Sequence, residues 1–336
     1  MKKTFYLHIG GSKTGSTSFQ QSLHLNNEIL QEKDLFVPSQ FNHQGCHNDI
    51  VFYNDDAWQA IFAEFANSNY RAGVISSELI NAKVGIENTF RNLESAALEQ
   101  ELLFVARNPM EVLLSHYSDR VCQFGDSLEL DEYIQDRLLY LFPSYRYPQF
   151  MDSFKSYDLN LDKFGEKFAN LNCKKTVIIY DNRVNENLFK QLNIDFTPSF
   201  DFLNTSVRIS TLFYIKRVIE NLNNSYSGKL NSLNRTAIAR WISQEILTIQ
   251  IGPKVMDVGL PKELINSLSF KKNSIQALKN NFGWKIFGDQ DLNFELARNA
   301  IPMKEWNSLG QEGADAISIT HKMDEKIKTI AELFDL

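Results

Sequence analysis

The segment Leu7-His8-Ile9-Gly10-Gly11-Ser12-Lys13-Thr14-Gly15-Ser16-Thr17-Ser18 concentrates glycines, hydroxyls and one lysine directly after an apolar run. Glycine lets a backbone turn tightly, so that successive amide N–H groups converge on an anion. A helix starting near Ser16 adds its positive N-terminal end to the same place. Ser12, Lys13, Thr14, Gly15, Ser16 and Thr17 are therefore candidate anion-binding residues. A second place is Ala106-Arg107-Asn108-Pro109-Met110-Glu111. Asn108 suits a helix N-cap, Pro109 the first helical position and Glu111 the capping-box site. Arg107 then falls at a strand's C-terminal edge, and Ser115 lies two turns into the helix. An Arg and a helix-borne Ser suit a second, separate phosphate. A surface Arg and a solvated Ser are the ordinary alternative.

Two residues are candidates for moving a proton. Glu78 follows the apolar run Val74-Ile75-Ser76-Ser77. The C-terminal ends of strands in a parallel sheet face the ligand crevice, which puts Glu78 near the first loop. Its plainer role is that of an acid at a helix N-terminus. His47, in the polar stretch 38–55, is the second candidate base. His8 lies within a buried strand and reads as a packed core histidine, and Ser76 or Ser77 could contact a ligand. Metal chemistry is not expected. Cys46, Cys122 and Cys173 are far apart and form no C-x-x-C pair. His43 and His47 are spaced by four, but without the adjacent Glu of a zincin helix.

The first loop is similar to the phosphate loop G-x-x-x-x-G-K-[ST], with one departure. Ser16 stands where that pattern has Lys, and the lysine sits inside the loop at position 13. Nucleotide-cleaving enzymes use the usual Lys on β/γ-phosphates and the next hydroxyl on Mg²⁺. Moving the charge weakens the case for γ-phosphate chemistry. The third strand also runs into Ser76-Ser77-Glu78 rather than an Asp that would hold Mg²⁺.

These residues need elements to position them. Residues 4–9 read as a strand, followed by a helix from about Ser16 to Gln31 and a short strand at Leu35-Phe36-Val37. Residues 38–55 read as a long functional loop rather than structure. A helix over 57–66, a strand over 72–76, a helix over 86–98, a strand over 102–106 and a helix over 109–124 continue the alternation. A fifth strand is expected at 176–180, after helical material over 128–170. Beyond residue 210 only helices are expected, near 211–224, 233–250, 261–281 and 290–299. Residues 314–335 read as an amphipathic helix or a loosely held tail. The sequence thus predicts an α/β fold. It has a P-loop-like parallel sheet of about five strands flanked by helices and a mainly helical C-terminal half.

Composition narrows the function classes. The 336 residues are 43% hydrophobic and 23% charged, enough apolar material for a large core. No apolar run approaches the ~18–20 residues that span a bilayer. The apolar run at the start is too short for a signal peptide, so a cytoplasmic protein is expected. The net charge of −6 counts against a nucleic-acid binder. It leaves room for a local site for a small anion.

The pairing of Lys13-Thr14-Gly15-Ser16-Thr17-Ser18 with Arg107-Asn108-Pro109 and Ser115 resembles the cofactor signatures of sulfotransferases. These enzymes use 3′-phosphoadenosine 5′-phosphosulfate (PAPS). Val177-Ile178-Ile179-Tyr180-Asp181 and Asn204-Thr205-Ser206 are similar to later parts of the family, so the resemblance covers roughly residues 3–206. It implies that the first loop holds the 5′-phosphosulfate and that Arg107 and Ser115 hold the 3′-phosphate. It also implies sulfuryl transfer to a hydroxyl, with Lys13 at the leaving phosphate and Glu78 or His47 as base. The phrasing His8-Ile9-Gly10 with Lys13-Thr14-Gly15 looks most like bacterial members that sulfate glycans or glycolipids. The family's basic, glycine-containing C-terminal loop has no good match here. The resemblance implies one domain over 1–300, with a helical acceptor-side insert at about 125–170 and helices over about 207–300. A helical tail over 301–336 follows, and peripheral membrane contact is left open. Tyr140, Phe142, Tyr145, Tyr147 and Phe150, with Arg137 and Arg146, suit an acidic sugar, though ordinary core explains them better. The alternatives are a small-molecule kinase using Mg·ATP and a non-catalytic nucleotide-binding module.

Overall fold

Six apolar runs form one sheet, in which every pairing is parallel. The computed structural model describes residues 3–10, 13–52, 55–82, 98–139, 161–181, 183–198, 207–226, 229–246, 249, 251–259, 261–267, 275–287, 301–320, 322–334 and 336. The strands are β1 (Thr4–His8), β2 (Leu35–Phe36), β3 (Ala72–Ser76), β4 (Glu99–Ala106), β5 (Lys174–Ile179) and β6 (Lys285–Phe287). Their order across the sheet is β2-β3-β1-β4-β5-β6. The chain winds one way from β1 and then reverses, so β1 lies between β3 and β4. Such a reversal opens a crevice at the C-terminal strand ends, where ligands of open α/β sheets bind.

Side chains alternate across the sheet with period two. Phe5, Leu7 and Ile9 point to a core that includes Trp58, Phe62, Phe65, Phe104 and Phe164. Tyr6 points to the opposite core, with Phe19, Leu23, Leu103, Val105 and Phe189. Strands buried on both faces need near-continuous apolar sequence, which is why β1, β3 and β4 were legible. β6 was not expected. It has three residues and pairs only with β5, at the sheet edge. So short a run gives no periodic signal.

Two further differences have local causes. The helix expected over 16–31 is two helices, α1 (Ser16–Leu25) and α2 (Asn27–Glu32). At the break, the Asn26 amide side chain donates to the Ser22 carbonyl at 2.9 Å. Asn competes in this way with helical hydrogen bonding. The 38–55 stretch is not a bare loop. His43 and Cys46 form an antiparallel bridge, and a 3₁₀ turn at Asn48–Phe52 follows. Ile50 and Val51 are buried in the core. The predicted helices at 86–98 and 290–299, the Tyr140–Phe150 aromatic group and Asn204-Thr205-Ser206 lie outside the described residues.

The chain divides into two compact units. The first comprises Met1–Pro109, Tyr140–Asn204 and Lys271–Phe294 and holds the sheet. The second comprises Met110–Leu139, Thr205–Phe270 and Glu295–Leu336 and is helical. Within it, helix Met303–Thr320 packs on helix Ile209–Ser225. The approach is close because Gly310 and Gly313 have no side chains to meet Phe213 and Ser210. Trp306, Ala314 and Ile317 are buried on the same helix. Lys216, almost fully buried, pairs with Glu129.

In β3, a Cβ on Gly73 would come 2.8 Å from the Phe5 ring and 3.2 Å from the Phe65 ring. Gly73→Ala is expected to cost about 1–3 kcal/mol, the usual price of overpacking a dense core. Urea unfolding monitored by circular dichroism measures it.

Candidate functional site

The crevice is built at the end of β1. His8, its last residue, pairs in register with Ser76 on β3 and Leu103 on β4. The His8 ring is wholly buried. Its Nδ1 lies 2.8 Å from Ser76 Oγ, and its other face meets the Phe19 ring of α1 edge-on. Burial pushes the imidazole down to about 3, so it is neutral at neutral pH. Nε2 has no hydrogen-bond partner among the described residues. It is directed at the root of the first loop, where a Cβ on Gly10 would come within 2.8 Å of it. The structure thus bears out His8 as a packed core residue.

The loop itself turns through two left-handed positions, Lys13 with φ 63° and Gly15 with φ 81°. Such alternation aims neighbouring amides at a common point. At Gly15 the conformation and the space both require glycine. A Cβ there would sit 3.1 Å from Val184 and 3.4 Å from the Tyr180 ring. Gly15 is also the N-cap of α1, and no side chain caps the helix. The first turn of α1 contains no acid. Its positive end is therefore turned toward the crevice without a local counter-charge on the same element. Thr14 and Ser16 are buried, Lys13 is half-buried and Thr17 is exposed. Ser12 lies outside the described residues.

Arg107 follows β4 and closes the loop from behind. Its Nη1 donates to the Lys13 carbonyl at 2.6 Å, and its guanidinium lies 4.4 Å from the centre of the Tyr180 ring. Ser115 lies in helix Pro109–Phe124, half-buried, in the portion of the chain that belongs to the second unit.

Glu78 meets the loop directly: Ser16 Oγ donates to Glu78 Oε1. The residue before it is also anchored, because Ser77 Oγ donates to Asn48 Oδ1 at 2.7 Å. The carboxylate is half-buried. His47 has a different place from the one its residue type suggested. It is wholly buried, its Nε2 lies 3.1 Å from the Pro38 carbonyl, and its Nδ1 receives the Ser76 amide at 3.4 Å. Its own amide donates to the Ser76 carbonyl at 2.8 Å. Both ring nitrogens are used by main chain, which leaves no lone pair for an acceptor hydroxyl. Burial also lowers its proton affinity. His47 is a strut between the 38–52 segment and β3. Burial pushes the thiol of its neighbour Cys46 up to about 11, which keeps it protonated at neutral pH.

The structure therefore brings Lys13, Thr14, Gly15, Ser16, Glu78 and Arg107 to one strand-end crevice. Sequence reasoning missed the Tyr180 platform under Arg107. It also missed Asn185, whose Nδ2 donates to Ser18 Oγ at 2.6 Å on α1. Both lie just past β5, and the apolar run ending in Tyr180-Asp181 was the available signal.

The sequence matches no protein-family profile and no curated protein. Among solved structures, the chain is similar to a sulfotransferase from Alicyclobacillus acidocaldarius, with 15% identity, 72% of this chain and 96% of that chain covered, and a TM-score of 0.40. It is similar to mouse sulfotransferase SULT7A1 complexed with PAP at 11% identity, with 99% and 89% covered and a TM-score of 0.32. A structure of the PezAT toxin–antitoxin system of Streptococcus pneumoniae gives 14% identity, 74% and 88% coverage and a TM-score of 0.31. All three TM-scores lie below 0.5. The fold is α/β, with a six-stranded parallel sheet and a helical C-terminal half. No described helix is long and apolar enough to cross a membrane.

The buried histidine has a measurable consequence. As pH falls below 6.5, the unfolded chain takes up a proton at His8 that the folded chain refuses until about 3. Stability therefore falls as pH drops through that window, by at most about 1.4 kcal/mol per pH unit from this group. Urea unfolding between pH 6.5 and about 5, above the ordinary carboxylate range, is expected to show the loss. His8→Asn is expected to flatten that slope.

Proposed function

We propose that this chain is a PAPS-dependent sulfotransferase that acts in the cytoplasm on a hydroxyl of a glycan or glycolipid. The observation that carries the reading is the composition of the crevice. An uncapped helix start and Lys13 form an anion cradle, backed by Arg107, with a carboxylate at Ser16 in place of the phosphate-loop lysine. These residues fit a donor with a short anionic 5′ end. Gly15 lets the loop turn where a side chain would press on Val184 and Tyr180, and the loop supplies N–H donors and a cation. When bound, PAPS supplies the sulfuryl group.

The chain's own residues supply the rest. Lys13 and the first amides of α1 stabilise negative charge that grows on the departing phosphate oxygen. Such donors act most strongly when aligned before reaction, and the Arg107 bond to the Lys13 carbonyl holds the loop in that alignment. Glu78 takes the proton from the acceptor hydroxyl. Ser16 holds Glu78 at the loop, so the base and the leaving-group donors have a fixed separation. By the resemblance of its motif, Arg107 is assigned to the 3′-phosphate. The acceptor class rests on the resemblance of the first loop to glycan- and glycolipid-sulfating enzymes, which is an analogy.

Calorimetry with adenosine 3′,5′-bisphosphate (PAP), beside ATP with and without Mg²⁺, tests the cofactor. Tight, metal-independent binding of PAP is expected, and preference for Mg·ATP would replace this reading with a kinase. Arg107→Ala is expected to weaken PAP binding by roughly 10–100-fold, the scale of a lost charge-assisted hydrogen bond. Unchanged affinity would remove the 3′-phosphate assignment. Lys13→Ala should lower turnover more than cofactor affinity, because its contact strengthens in the transition state. Steady-state kinetics with PAPS read that split, and equal losses would make Lys13 a simple binding residue.

A further inference from the structure

We propose that His8 is a positioning residue of the anion site: its Nε2–H is the buried donor that receives the Gly10 carbonyl when the first loop turns its amides to a phosphate or sulfate group. The inference rests on the reading that this loop holds such a group, and goes beyond it by naming what sets the loop's backbone from beneath. His8 ends β1, wholly buried, just before the loop begins. Which ring nitrogen carries the proton follows from counting partners. The imidazole is neutral, so one nitrogen donates and the other accepts. Nδ1 lies 2.8 Å from Ser76 Oγ, and that hydroxyl has no second partner among the described residues. With the proton on Nε2, the Ser76 hydroxyl donates to Nδ1 and one group is left over, the Nε2–H. With the proton on Nδ1, two are left over, the Ser76 O–H and the bare Nε2. Unmade buried hydrogen bonds are costly, so the proton belongs on Nε2.

This donor is aimed at the root of the loop. A Cβ on Gly10 would come 2.8 Å from Nε2 and 3.5 Å from the Ser16 side chain at the start of α1. The Phe19 ring packs edge-on against the imidazole and, with the Ser76 contact, fixes its direction. N–H and C=O point opposite ways across a trans peptide. A loop whose amides converge on an anion therefore turns its carbonyls away from it. At Gly10 the side turned away from the crevice is the side of His8. A buried carbonyl needs a donor, and Nε2–H is in place to supply it. The uncapped start of α1 and the buried donor beneath the loop are two independent features of one anion site.

The experiment labels the histidines with heavy nitrogen and records their ring nitrogens by long-range proton–nitrogen NMR at neutral pH. Loss of signals in His8→Asn or His8→Gln identifies His8. The proton is expected on Nε2, and the Nε2 resonance is expected to move when PAP, or inorganic phosphate alone, saturates the site. A proton on Nδ1, or an Nε2 resonance that neither ligand moves, would overturn the inference. The two variants separate the ring nitrogens in binding. In His8→Asn the side-chain amide sits at the place of Nδ1, and in His8→Gln it reaches the place of Nε2. By calorimetry, His8→Asn is expected to bind PAP about five- to tenfold more weakly than wild type, the scale of one lost hydrogen bond, and His8→Gln within about twofold of it. Equal losses in both variants would make His8 a packing residue and nothing more. Far-UV circular dichroism checks the fold, and if either variant fails to fold, the NMR result on the wild type decides. Failure to bind PAP while phosphate still moves Nε2 would remove the sulfotransferase reading and keep the donor. Binding of neither ligand would remove both.

Discussion

The hydrogen bond between His8 and Ser76 is the interaction on which the crevice depends. It joins the ends of β1 and β3 at the point where the winding of the sheet reverses. A neutral imidazole is required there, because the ring is sealed from water and a charged one would have no counter-ion among its contacts. The ring fills the space beneath the first loop and forces glycine at position 10. It also fixes Ser76, from which Ser77 and Glu78 continue. The anion cradle on one side and the carboxylate on the other thus share one buried anchor. Nε2 has no partner among the described residues, and a buried hydrogen bond left unmade there would cost about 1–3 kcal/mol.

Above that anchor the electrostatics are arranged in layers. The α1 terminus and Lys13 are positive, and Arg107 is held behind them against a carbonyl and an aromatic ring. Glu78 supplies the one negative group bonded to the first turn of α1 among the described contacts. A cation at the loop and a carboxylate at the start of α1 can meet a leaving anion and a proton respectively, which is the division of labour that group transfer to a hydroxyl needs.

The sequence carried the parts of this site that are local. Gly10, Lys13 and Gly15 announce a turn by their types, and Asn108-Pro109 announces a helix start that places Arg107. The apolar runs of β1, β3, β4 and β5 announce strands because both faces of each are buried. Contacts between distant residues were not legible. Ser16 and Glu78 are separated by 62 positions, and no spacing rule relates them. His47 has the chemistry of a base, and only the bonds to Pro38 and Ser76 show that it is spent on the backbone. β6 was missed because three edge residues give no period. The break at Asn26 was missed because helical periodicity persists across it while its side chain caps the turn before.

Gly45 fixes the relation between the 38–52 segment and α1. It lies at the bridge of His43 and Cys46 with φ 84°, and a Cβ on it would fall 1.6 Å from the Gln20 carbonyl. The tip of the segment therefore rests on the backbone of α1 with no atom's thickness to spare. With His47 bolted to Ser76 on the other side, the segment joins the helix to β3 as a keystone joins two halves of an arch. Lifting the segment away as a flap would break the paired His47–Ser76 main-chain contacts and the seat of Gly45 on Gln20 together, so its position and that of α1 are set as one.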